Sequence, residues 1–191
     1  MAGEQFKEAE IEADGFTIRY LEAGAGEALV YVHGAGGLRL SEAHDLLAET
    51  YRVIALEVPG FGASPENTRS DSMTALAGSL NQALEALGIE TANLMGSSFG
   101  GKVVLEMALA APERVQSGVL LAPAAIRLAD RPPQAATPAE RMAMLHAHPE
   151  NHPAPEPADP EVEKKQGKLV SRLFGPARDA EFEARLAGLA V

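Results

Sequence analysis

The sequence predicts an α/β fold, a mostly parallel sheet with helices on both faces, and three observations carry that expectation. Short, nearly continuous apolar runs occur at Ala28–Val32, Val53–Leu56, Ala92–Met95 and Val115–Leu121, the pattern of strands buried on both faces. Helical patterns lie between them at Ser41–Glu49, Ser72–Leu87 and Phe99–Ala111. Strand and helix therefore alternate, as a parallel sheet with crossover helices requires.

The remaining elements follow from local signals. Ala9–Ala13 and Phe16–Leu21 alternate around the turn dipeptide Asp14-Gly15, which predicts an antiparallel hairpin ahead of the first buried strand. Of the 13 prolines, 8 fall between Pro132 and Pro160, so the stretch His148–Pro157 holds neither a regular helix nor a central strand. Thr137-Pro138-Ala139-Glu140 is a capping box with proline at the first helical position and opens a helix to about His146. Asp159-Pro160 opens another to Phe174, stopped by Gly175-Pro176, and Ala177–Leu189 forms a third. The expected organisation is a core over residues 1–122 and a cap of short helices, entered through a proline-rich segment, over residues 123–191, laid over a sheet edge.

Composition narrows the function. The 191 residues carry 16 Lys+Arg against 27 Asp+Glu, a net charge of −11, which opposes electrostatic attraction to nucleic acid or an anionic membrane. With no cysteine, a disulfide scaffold, a thiolate metal site and a thiol nucleophile are excluded. The acidic start Met1-Ala-Gly-Glu-Gln lacks the pattern of a signal peptide, and no apolar run approaches the roughly 20 residues that span a bilayer. A cytoplasmic protein acting on a small molecule is expected.

Gly96-Ser97-Ser98-Phe99-Gly100 sits between a predicted strand and a predicted helix, the context of a nucleophile elbow. A serine on such a turn needs glycines two residues to either side to relieve crowding. Ser98 has Gly96 and Gly100 there, whereas Ser97 has Met95 and Phe99, so Ser98 is the candidate nucleophile. His33-Gly34-Ala35-Gly36-Gly37 follows the strand Ala28–Val32, and its small residues let backbone N–H groups approach an oxyanion. Phe99 N–H and Ala35 N–H are the expected donors, with Gly36 as the substitute for Ala35. His33 and Gly34 belong to the same loop, where His33 reads as structural.

Together these residues resemble the amino-terminal two-thirds of a cofactor-free, cap-bearing α/β-hydrolase. The resemblance covers about Phe16 to Pro123 and rests on His33-Gly34, Glu57-Val-Pro-Gly-Phe-Gly-Ala-Ser64, Gly96–Gly101 and Val115–Leu121. Glu57 stands where an aspartate is usual in that family. A serine at the elbow implies esterase, lactonase, thioesterase or carbon–carbon bond hydrolase chemistry, with no cofactor and no metal. Epoxide hydrolases and haloalkane dehalogenases of the same fold carry aspartate there.

The resemblance also implies an acid and a general-base histidine after the cap, in the order Ser, acid, His. The five histidines are His33, His44, His146, His148 and His152, and none follows the predicted cap. The expectation is that acid and imidazole lie outside these residues, so that full turnover needs a complementing C-terminal segment. If the sheet ends on Val115–Leu121, its apolar edge is also expected to pair with a second copy of the chain. Asp130 lies a short way after the sixth predicted strand, where the resemblance implies that a few relatives place the acid, though a solvated loop aspartate is the simpler reading. His146, His148 and His152, alone or with Glu150 around a metal, are alternative bases whose spacing Pro149 and Pro153 disrupt. The charged run Glu161–Lys168 reads as a solvated helix face.

Two other functions fit parts of the pattern. Gly96–Lys102 satisfies the G-x-x-x-x-G-K string of a phosphate-binding loop, but Val103 replaces the metal-binding hydroxyl and Val115–Leu121 runs into Ala122-Pro123 without an aspartate. A non-catalytic protein of the same fold, binding a ligand or partner between core and cap, is the other alternative.

Overall fold

The structure, a computed structural model, describes residues 2–126, 137–151, 159–174 and 179–189. Asp130 and His152, and the stop at Gly175-Pro176, lie outside the described residues. Six strands form one sheet: β1 (Lys7–Ala13), β2 (Phe16–Ala23), β3 (Ala28–Val32), β4 (Arg52–Leu56), β5 (Ala92–Ser97) and β6 (Val115–Leu121), in the spatial order β1-β2-β4-β3-β5-β6. The β1–β2 hairpin is antiparallel and so is its junction with β4, while β4, β3, β5 and β6 run parallel. Asp14 and Gly15 both take positive φ, 48° and 70°, as the two-residue turn between β1 and β2 demands.

Alternation along β3 and β4 splits the core. Val30, Val32, Ile54 and Leu56 face one layer with α2 (Met73–Ala86) and α3 (Phe99–Ala110). Leu29, Tyr31, Val53 and Ala55 face the other layer with α1 (Glu42–Leu47). Helices thus cover both faces, as the near-continuous apolar runs require. Ser41 opens α1 through a reciprocal cap with His44, and Ser72 opens α2 by accepting from Ala75 N–H.

After β6 come α4 (Pro138–Leu145), α5 (Pro160–Phe174) and α6 (Ala180–Leu186). The capping box on Thr137 and Glu140 is present. Leu169 and Leu173 of α5 enter the main core beside Phe61 and Phe99. The α6 helix docks on α3 through Phe182, which is 1% exposed, and through a 2.8 Å ion pair from Arg185 to the buried Glu106. Among the described residues no helix is long and apolar enough to cross a membrane.

Two sequence expectations are corrected. Val115–Leu121 is a strand, but it is not buried on both faces: Val119, Leu120 and Leu121 are each 40–45% exposed, because β6 is the edge of the sheet among the described residues. Burial of a strand depends on its rank in the sheet, which hydropathy does not encode. The run Glu161–Lys168 is only partly a solvated face. Lys165 Nζ donates to the carbonyls of Gly62 and Ser64, and Gln166 is buried.

Candidate active site

Ser98 stands where β5 ends and α3 begins, as the N-cap of α3, with φ 50° and ψ −111°. That backbone conformation is strained for a residue with a Cβ, a cost of about 1–3 kcal/mol that packing must hold in place. The surroundings supply the restraint. Ser98 N–H donates to Leu121 O at 2.9 Å, and Ser98 O accepts from Ala124 N–H at 2.8 Å and Gly101 N–H at 3.0 Å. The elbow is therefore pinned by the chain leaving β6. Sequence reading missed that tie, for which Pro123 after the apolar run was the only signal.

The flanking glycines are required by contact. A Cβ on Gly96 would stand 2.4 Å from Gly100 O, and one on Gly100 would stand 2.1 Å from Val32 O and 2.5 Å from His33 O. Gly101 is pressed in the same way against Pro123, at 2.6 Å. With α3 held this close to β3, the Ser98 side chain is exposed, and it makes no hydrogen bond among the described residues. Ser97 differs. Its hydroxyl interacts with the Tyr31 phenol, whose pKa burial raises and this hydrogen bond pulls back.

The loop after β3 lies against the elbow. A Cβ on Gly34 would come within 3.5 Å of the Ser98 Cβ, and Gly34 O accepts from Gly37 N–H at 3.1 Å to close a turn over Ala35 and Gly36. Among the described residues the N–H groups of Ala35, Gly36 and Phe99 find no acceptor. His33 is fully buried, with Nδ1 2.7 Å from Gly34 O and Nε2 accepting from Val58 N–H at 3.1 Å. An N–H donor at Nε2 leaves the proton on Nδ1, so both ring nitrogens are engaged within the protein. Burial pushes its pKa down to about 4, with the Gly34 carbonyl acting in the opposite direction.

Rings connect these parts. His33 meets Phe61 at 4.8 Å, Phe61 meets Phe99 at 5.6 Å, and Phe99 meets Phe174 of α5 at 5.7 Å. Phe61 lies in the turn after β4, where Gly62 takes φ 50° against the carboxylate of Glu57. Glu57 is 3% exposed and paired with Arg19 at 2.8 Å, so it acts as a scaffold for that turn.

The other candidates gather elsewhere. His148 is exposed and bonded to Glu150 at 3.1 Å, and no group of three potential metal ligands occurs among the described residues. His146 caps α4, its N–H donating to Met142 O. Lys102, which a phosphate loop would aim at its ligand, is 3% exposed, with Nζ 3.5 Å from Asp179 and 4.8 Å from the Phe182 ring.

Comparison with known proteins identifies the family to which this fold belongs. The family model described as alpha/beta hydrolase fold matches residues 27–177. The chain is 36% identical over 115 residues to the dihydrolipoyllysine-residue acetyltransferase component of the acetoin cleaving system of Cupriavidus necator, covering 59% of this chain and 31% of that protein. It is 35% identical over 124 residues to the 2-hydroxy-6-oxo-6-phenylhexa-2,4-dienoate hydrolase of Comamonas testosteroni, covering 61% of this chain and 43% of that protein. Among solved structures, a bacterial membrane phospholipase A shares the fold with a TM-score of 0.65 at 24% identity, over 96% of this chain and 63% of that one. The chain thus spans between about a third and under half the length of these two curated relatives.

Proposed function

The chain belongs to the α/β-hydrolase fold family, and on that premise we propose that it carries the nucleophile and oxyanion site of a serine hydrolase. Ser98 Oγ attacks the carbonyl carbon of an ester, thioester, lactone or ketone. The carbonyl oxygen becomes an oxyanion held by the N–H groups of Phe99 and Ala35, with Gly36 as the alternative second donor. The Ser98 proton passes to an imidazole and from it to the departing alkoxide, thiolate or carbanion as the tetrahedral intermediate collapses, leaving an acyl group on Ser98; water then adds to the acyl carbon, releasing the carboxylic acid and restoring the Ser98 hydroxyl. The observation that carries this reading is the positive φ of Ser98 on an exposed turn, held by the contacts of Gly96 and Gly100.

The similar proteins support the substrate range: one is named as a hydrolase of an oxo-dienoate and another as an acetyltransferase component. No described histidine lies at the Ser98 hydroxyl. The proposed source of acid and imidazole is chain that pairs with the exposed edge of β6, where Val119, Leu120 and Leu121 stand uncovered, in the same polypeptide or in another. Incubation with p-nitrophenyl butanoate tests the assignment. Release of p-nitrophenolate that is stoichiometric with Ser98 acylation, and lost in Ser98→Ala, supports it. Equal release by both proteins refutes it.

A further inference from the structure

We infer that Gln166 reads a hydrogen-bonding oxygen on the acyl portion of the substrate held at Ser98. This rests on the reading of Ser98 as nucleophile. Gln166, Leu169 and Leu173 form the buried face of α5 at i, i+3 and i+7 spacing, with exposures of 8%, 2% and 5%. The two leucines belong to the main core, and Leu169 approaches Gly60 so closely that a Cβ there would lie 2.8 Å from it. An amide at the end of an otherwise apolar stripe needs a reason, because burying a polar group without a partner is costly.

Its position supplies one. Gln166 Nε2 lies 3.8 Å from where a Cβ on Gly37 would stand, Gly37 closes the turn onto Gly34, and Gly34 is in contact range of Ser98. Gln166 therefore borders the loop that carries the proposed oxyanion donor Ala35. Among the described residues its amide has no hydrogen-bond partner. Among the described residues the sealed, unpartnered side-chain atom is His44 Nε2, so the polar atoms of Gln166 are not closed off in the same way.

The neighbouring cations are committed elsewhere. Lys165 binds the carbonyls of Gly62 and Ser64, Arg172 binds those of Asn67 and Ser70, and Lys168 pairs with Glu66 at 3.4 Å. What α5 presents to the loop is a neutral group with two N–H donors and one acceptor. That chemistry fits a carbonyl or hydroxyl oxygen on the acyl chain better than a bare alkyl group.

The test compares binding of methyl 4-oxopentanoate with methyl pentanoate by NMR titration of the full chain. The wild-type protein should bind the oxo ester about fivefold more tightly, the size of one net neutral hydrogen bond. In Gln166→Leu the ratio should fall to about one. Gln166→Asn, which withdraws the amide by one methylene, should lower it too and carries the test if the leucine variant loses its circular dichroism signature. Ser98→Ala should keep the ratio while losing p-nitrophenolate release, so failure of the nucleophile assignment is read separately. An unchanged ratio in the folded Gln166 variants, equal wild-type affinities, or no binding of either ester overturns the inference.

Discussion

The Nε2 atom of His33 accepts a 3.1 Å hydrogen bond from the backbone N–H of Val58, and this single bond joins the loop after β3 to the turn after β4. It holds the imidazole neutral, because a proton on Nε2 would face that N–H. The ring also closes the interior at Phe61.

A pH dependence of stability follows. The pKa of His33 lies at about 4 in the folded protein against 6.5 unfolded, so the native state binds fewer protons across that window. Its contribution is complete above about pH 6.5 and is lost as the pH falls toward 4, a change of about 3 kcal/mol. Burial lowers His44 as well, with the same sign. Urea unfolding at a series of pH values should show the decline, and in His33→Gln the slope between pH 6.5 and 4 should shrink.

The strain at Ser98 predicts a stabilising substitution at the centre of the site. Glycine accepts φ 50° and ψ −111° without a Cβ penalty. Ser98→Gly should therefore be about 1–2 kcal/mol more stable than Ser98→Ala, measured by chemical denaturation. Equal stability of the two variants would mean that the turn is unstrained.

Two glycines give opposite expectations. Gly100→Ala puts a methyl group 2.1 Å from the carbonyl oxygen of Val32, a backbone atom that cannot step aside, so α3 must lift from β3. A loss of about 3 kcal/mol, the upper end of the overpacking range, is expected. Gly78 lies within α2 with no atom inside 4 Å of the added carbon. Gly78→Ala should gain about 0.5–1 kcal/mol from helix propensity. Melting temperatures of the pair check both.

Packing of α5 makes a further prediction. Leu169 is 2% exposed and in the main core, so Leu169→Ala should cost about 2–5 kcal/mol. An α5 that merely rested on the surface would show less than about 0.5 kcal/mol.

Legibility from sequence followed the range of the determining contacts. β3 and β6 have the bounds read from their apolar runs, and the elbow glycines could be named from the local G-x-S-x-G spacing, although Gly100 is held glycine by the distant carbonyls of Val32 and His33. The exposure of β6 was legible only conditionally, as the edge left if the sheet ends there, since it depends on which strand lies outermost. The inward face of α5 was not legible. Lys165 and Gln166 look solvated in a run of charges, and only the approach of the Gly62–Ser64 carbonyls and of Gly37 turns them inward. The link from Ala124 to Ser98 O joins segments 26 residues apart, and Pro123 after the apolar run was its one trace in the sequence.

The assignment of Ser98 is tested most directly by incubating the chain with an alkyl fluorophosphonate and mapping the adduct by peptide mass spectrometry. Phosphonylation should occur on Ser98, persist in Ser97→Ala, vanish in Ser98→Ala and slow by about 100-fold in Ala35→Pro, which deletes one oxyanion donor. An adduct on Ser97, or a rate that Ser98→Ala leaves unchanged, would contradict it.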